Sequence, residues 1–141
     1  MENYIPRGCL FINVDRNKDG RGNLTVLTNQ LPTSFVIRRI YYVSHLKRYR
    51  PRGSHAHRLQ SQALFVIRGR ISITLDSGSM NTTFVLDENT DGIFISPLVW
   101  VTIRPLDKDA AYLVMADGPY DQGEYIYNYE EFKEIKKGVV T

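Results

Sequence analysis

Arg52-Gly53-Ser54-His55-Ala56-His57-Arg58, continued to Gln62 and Gly69, is the part of the chain that organises the reading of the rest. All three histidines, His45, His55 and His57, fall within thirteen residues. His55 and His57 stand at i and i+2. On a strand such positions leave the same face, so both imidazoles point into one space and Ala56 points the other way. Two imidazoles in one pocket make either half of a metal site or an acid–base pair.

Outward from that stretch the chain reads as many short strands. Residues 9–14 form the first, and 15–23, rich in Asn, Asp and Gly, reads as a turn. A strand resumes at 24–27, and Phe35 to Val43 is β-branched and aromatic. Strict alternation there puts Val36, Arg38, Ile40 and Tyr42 on one face, and Phe35, Ile37, Arg39, Tyr41 and Val43 on the other. A basic loop, 44–53, leads into the histidine strand. Further strands follow at 63–67, 71–75, 82–86, 93–95, 99–103 and 110–116, with turns between them, among them Asp76-Ser77-Gly78-Ser79. This spacing predicts an all-β sandwich or barrel. After Tyr129, the spacing of Tyr129, Phe132 and Ile135 predicts a short helix that packs one stripe on the strands and ends at Gly138.

The 141 residues fit one domain spanning 1–141. At 43% hydrophobic and 23% charged, the composition is that of an ordinary globular protein. The net charge of +3 gathers into a cluster from Arg38 to Arg58, which points to an anionic ligand. No nucleic-acid-binding motif accompanies it, so nucleic acid is not expected as a partner. One cysteine, Cys9, excludes an internal disulfide and suits a reducing compartment. With neither a leader-like start nor an apolar run of about 18 residues, the expectation is a cytoplasmic protein without a membrane span.

The spacing His55-x-His57, Gln62, Gly69 resembles the motif of the cupins, and Gly92 to Trp100 resembles their second block. The resemblance implies a double-stranded β-helix, a jelly-roll barrel with a ligand cavity at its mouth. Metal-binding cupins supply two histidines, a glutamate and a third histidine. Here Gln62 stands in the glutamate place, and no histidine follows Trp100. Two imidazoles and an amide are a poor donor set for zinc or iron. The acid–base reading is therefore preferred, with no metal and no cofactor.

A fuller resemblance runs over nearly the whole chain. Asn23 to Val26, Phe35 to Tyr42, Arg52 to Arg58, Gln62, Pro97 to Trp100 and Tyr120 to Phe132 are together similar to the nucleotide-sugar 3,4-ketoisomerases. That likeness implies a homodimeric enzyme that converts dTDP-4-keto-6-deoxyglucose to a 3-keto sugar for surface glycans. On this reading His55 is the base at C3, His57 the shuttle or acid, and Tyr42 holds the developing enolate oxygen. Arg39 and Arg52 are candidates for the diphosphate and Arg21 for the sugar. Gln62 would orient a hydroxyl or a histidine. Tyr41 and Trp100 complete the candidate substrate contacts, although packing is the stronger reading for Trp100. Two alternatives stay open: an epimerase of the same kind, and a module that binds a nucleotide sugar without turning it over.

Overall fold

The computed structural model describes residues 4–27 and 31–139. Twelve strands are formed: β1 Leu10–Ile12, β2 Asp15–Asp19, β3 Gly22–Val26, β4 Arg39–Val43, β5 Arg52–His57, β6 Gln62–Arg68, β7 Arg70–Asp76, β8 Asn81–Asp87, β9 Gly92–Ile95, β10 Trp100–Pro105, β11 Ala111–Ala116 and β12 Tyr125–Ile126. Among the described residues one α-helix, α1, spans Tyr129–Lys137, preceded by a 3₁₀ turn at Gln122–Glu124.

The pairing is nested. β7 pairs with β8, β6 with β9, β5 with β10 and β4 with β11, all antiparallel. The chain from β4 to β11 is thus one long hairpin with its tip at the β7–β8 turn. Successive pairs fall alternately into two sheets, ordered β1-β9-β6-β11-β4 and β12-β5-β10-β7-β8. That is a jelly roll. The two sheets stay open at their edges, so the expected barrel is a rolled sandwich. Its interior follows the period-2 pattern of the strands. Ile71, Ile73 and Leu75 of β7 and Val101 and Ile103 of β10 meet Leu64, Val66, Ile93, Ile95 and Val114 of the opposite sheet in one buried cluster.

Three segments depart from the sequence reading. The expected turn at 15–23 contains the strand β2, and the turn shrinks to the residues between Asp19 and Gly22, where Asp19 Oδ1 accepts from the Arg21 amide at 2.7 Å. Side chains of this β2–β3 hairpin are exposed on both faces, so no apolar alternation marked it. The strand expected from Phe35 begins only at Arg39. Val36 and Ile37 stay exposed, and Arg38 donates its amide to the Ala116 carbonyl at 2.8 Å just before the paired stretch. The histidine strand begins at Arg52, inside the segment expected to be loop.

α1 forms where expected. Asn128 caps its first turn by accepting from the Glu131 amide at 2.9 Å, and Lys136 and Lys137 complement the dipole at its end. Gly138 follows it in right-handed geometry, and the end is closed by i→i−3 bonds from the Gly138 amide to Ile135 and the Val139 amide to Lys136, not by a left-handed glycine. Phe132 is fully buried against Ala56 of β5, Ile126 and Trp100. The helix therefore lies directly behind the histidine strand. We predict that Phe132→Ala lowers unfolding stability by about 3–5 kcal/mol in urea titration, the usual cost of emptying a buried aromatic site.

Candidate active site

β5 is held on both sides, by β10 and by β12. Ala56 is fully buried under α1, and His55 and His57 face the other way with ring centroids 5.1 Å apart. The register on β10 slips by one between Val101, opposite His55, and Ile103, opposite Arg52. Three steps on β5 thus match two on β10, which is a β-bulge. Gly53 sits in it at φ 76°, a backbone shape that suits glycine. The bulge has a functional consequence. In a regular strand Arg52 and His55, three apart, would face opposite sides; here both line the same cavity.

That cavity, of about 480 Å³, is bounded by Arg39, Tyr41, Tyr42, Val43, Arg52, Gly53, His55, Tyr112, Tyr120, Tyr125 and Tyr127. A narrower space of about 30 Å³ lies deeper, between Tyr41, Gly53, His55, Gln62, Tyr112 and apolar side chains. Larger clefts of about 680 and 650 Å³ lie by the amino-terminal segment and by the β2–β3 hairpin, but neither is lined by a histidine.

β4 presents Arg39 and Tyr41 inward and leaves Tyr42 at the rim, 69% exposed. Gln62 is buried at the start of β6 and donates Nε2–H to Tyr41 Oη at 3.2 Å. The Arg39 guanidinium lies over the rings of Tyr41 and Tyr120, at 5.3 and 5.8 Å from their centroids. It also donates to Tyr125 Oη at 3.4 Å and to Gln60 Oε1 at 3.3 Å. The loop after His57 is tied down by Glu124, whose carboxylate accepts from the amides of Leu59 and Gln60.

Burial dominates the electrostatics. It depresses the pKa of His55 to about 4. His57 is depressed to about 3, first by burial and then by the nearby His55 and Arg39. Both rings are neutral at pH 7. His57 is 5% exposed, and neither of its ring nitrogens has a hydrogen-bond partner in the protein. The hydroxyls of Tyr41 and Tyr112 are pushed up by burial, Tyr112 to about 12. The pocket thus offers neutral proton acceptors, protonated phenols and two permanent cations. Among the described residues no three His, Cys, Asp or Glu side chains converge as metal ligands. His45 is exposed and bonded to Ser44.

Comparison with known proteins places the chain. The model of the family described as FdtA, WxcM-like, C-terminal, matches residues 7–137. The chain belongs to the WxcM-like family. A TDP-4-oxo-6-deoxy-alpha-D-glucose-3,4-oxoisomerase of Aneurinibacillus thermoaerophilus is 32% identical over 134 residues, covering 95% of this chain and 92% of that protein. A 3,4-ketoisomerase from Helicobacter canadensis superposes with TM-score 0.84 at 34% identity, covering 92% of this chain and 98% of the other. A mutant of the 3,4-ketoisomerase QdtA from Thermoanaerobacterium thermosaccharolyticum, solved with TDP-4-keto-6-deoxyglucose, superposes with TM-score 0.86 at 26% identity, covering 95% and 97%.

In this WxcM-like protein the residues singled out by sequence divide into two groups. Arg39, Tyr41, Tyr42, Arg52 and His55 surround one cavity, Gln62 lies just below it, and His57 packs behind His55. Arg21 lies in the β2–β3 turn, its side chain 92% exposed and ion-paired to Asp19 at 3.2 Å, and it lines no part of that cavity. Trp100 points outward from β10 and packs on Tyr129 and Phe132, as the packing reading expected. Sequence reasoning treated the tyrosine-rich tail as packing and so missed Tyr125 and Tyr127. β12 pairs Tyr125 with His57 and brings its ring to 4.6 Å from that imidazole and 4.9 Å from His55. Tyr127 stacks on Tyr125 at 5.6 Å. The Tyr125-Ile126-Tyr127 alternation was the available signal: two rings on the cavity side, one aliphatic side chain under α1.

The depressed imidazoles set a pH dependence of stability. Below an ordinary value of 6.5 the unfolded chain binds protons that the folded one refuses until near pH 4 and pH 3. Stability is therefore highest above that range and falls as pH drops through it. From pH 7 to pH 5 we predict a loss on the order of 1–2 kcal/mol per histidine. Urea denaturation at the two pH values checks this: the double variant His55→Asn/His57→Asn should lose less stability than wild type over that interval, and an equal loss contradicts the assignment.

Proposed function

We propose that this protein is a sugar 3,4-ketoisomerase that converts TDP-4-keto-6-deoxyglucose to a TDP-3-keto-6-deoxyhexose. The observation that carries the reading is a neutral imidazole, His55, on the wall of a cavity that also holds Arg39 and Arg52, with the buried His57 ring packed behind it, in a chain of this family. The relatives named above act on, or were solved with, this class of sugar.

The reaction relocates two protons and no net electrons. His55 takes the proton from C3, and that C–H electron pair becomes the C3–C4 double bond of an enediolate whose charge rests on O4. O3 then loses its proton and becomes the carbonyl, while C4 receives one. A base with a pKa near 4 is unprotonated in every molecule at pH 7, so it stands ready as an acceptor. It stores no proton beforehand, and the acid in the second half is the imidazolium made in the first. His57, whose ring centroid lies 5.1 Å from that of His55 and whose two nitrogens are unpartnered among the described residues, would serve as the shuttle between the sugar oxygens.

The phenol that meets the enolate oxygen is assigned to Tyr41 instead of Tyr42. Tyr41 lies inward beside His55 in both the main and the deeper space, whereas Tyr42 lies at the rim. Arg52, next to Tyr112 and exposed at the mouth, suits the diphosphate, with Arg39 deeper. The enzyme would act in the cytoplasm as a homodimer. The uncovered edge strand β4 and the exposed Val36, Ile37 and Ile40 support a self-association surface.

Incubation with TDP-4-keto-6-deoxyglucose in D₂O, followed by proton NMR, should show the 3-keto product; a module that only binds would leave the sugar unchanged. His55→Asn should lower kcat by about 10²–10⁴-fold, the usual contribution of a general base. Arg52→Ala should weaken TDP binding by roughly 10–100-fold in calorimetry, the loss of a charge-assisted contact.

A further inference from the structure

Gln62 occupies the place where a metal-binding relative would carry a ligand, and the structure gives it different work. Its amide Nε2–H is donated to Tyr41 Oη at 3.2 Å, from a side chain that is 7% exposed. A phenol has one proton to give and can accept in return. By filling an acceptor site on that oxygen, the amide leaves the phenol's own proton free for another partner. Among the described residues no protein acceptor is hydrogen-bonded to it. Tyr41 borders both the main cavity and the deeper one, and shares the deeper one with His55 and Gln62.

We propose that Gln62 is a positioning residue: it orients the Tyr41 hydroxyl so that its proton is directed into the cavity, onto the enolate oxygen generated when His55 acts. This rests on the ketoisomerase reading. The logic depends on an amide and not a carboxylate. An ionised carboxylate at this position only accepts hydrogen bonds, so it would claim the phenolic proton and turn it away from the sugar. The deeper space, about 30 Å³, also has room for about one water, which would give the Gln62 carbonyl its partner and keep the amide from rotating.

The test is Gln62→Glu, close in shape and opposite in hydrogen-bonding sense. kcat and KM are measured on TDP-4-keto-6-deoxyglucose across the neutral and mildly acidic range, with folding checked by circular dichroism. At the alkaline end, kcat should fall by roughly 100–1000-fold with KM within about threefold of wild type, the size expected when one donor to a developing oxyanion is lost. As pH falls and the introduced carboxyl gains a proton, it can donate to Tyr41 again, so the ratio of variant to wild-type kcat should rise. Gln62→Leu should lose activity with no such recovery. Tyr41→Phe should reproduce the alkaline loss, and combining it with Gln62→Glu should add little.

If the Gln62 carbonyl instead accepted the Tyr41 proton, a carboxylate would preserve that bond. A Gln62→Glu enzyme with kcat within about threefold of wild type and a parallel pH profile therefore overturns the proposal. Should neither Gln62 variant fold, Tyr41→Phe decides: near-wild-type kcat overturns the role of the phenolic proton and a large fall supports it. A folded wild type that binds TDP without turning over the keto sugar removes the ketoisomerase reading and this inference with it.

Discussion

The chemistry depends on the way β5 is wedged between β10 and β12. A strand with partners on both sides cannot slide by one residue without turning its whole inner face outward. Here that slip would send His55 and His57 under α1 and expose Ala56 to the cavity. The core opposes it, since Ala56 is fully buried in one cluster with Phe132 and Ile126. The bulge at Gly53 then adds one residue of slack, and that slack rotates Arg52 to the same side as His55. A permanent cation and a neutral base thus share one wall although they are an odd number of residues apart.

Keeping two imidazoles neutral is the second consequence of the same packing. Tyr125 lies across both rings and Arg39 runs beneath the aromatic wall. Burial opposes protonation of both rings, and at His57 the nearby His55 and Arg39 oppose it further. In a wetter pocket these side chains would titrate near 6.5 and be partly charged at neutral pH, and a charged imidazole cannot take a proton from carbon. The cost falls on stability in acid, where the folded state refuses protons that the unfolded chain accepts. Glu124, which ties the loop after His57 through two backbone amides, helps hold the rings in place.

Much of this was legible in the chain because the rolled strands obey simple periodicity. The alternation in Ile71-Ser72-Ile73-Thr74-Leu75 sorts inside from outside in the structure as it does on paper. The i, i+2 placement of the histidines likewise fixed their common face. What stayed hidden has identifiable physical causes. β2 is polar and largely exposed on both faces, so it carries no apolar alternation, and of the β2–β3 hairpin only the second strand shows in the sequence, at 24–27. Tyr41 and Tyr42 could not be separated until the start of β4 at Arg39 showed which of them faces inward. Arg52 reaches the site only through a bulge, which no alternation rule contains. Tyr125 is some seventy residues from the histidines and joins them through a two-residue strand, too short for a periodicity to register.

Besides the histidine missing after Trp100, the contrast with a metal-binding pocket includes the exchange of a single atom at Gln62. A carboxylate in place of Gln62 would bring negative charge to Tyr41 and His55, favour a cation and raise the basicity of the imidazoles. The amide supplies no charge, so nothing in the pocket compensates a buried imidazolium in the resting state. It also replaces an acceptor by a donor at the point where Tyr41 needs one. Both effects favour a site that takes a proton from carbon and stabilises the oxygen left behind. On the proposed reading, the same exchange that weakens the ligand set suits acid–base chemistry, with His55, Tyr41 and Gln62 acting as one unit.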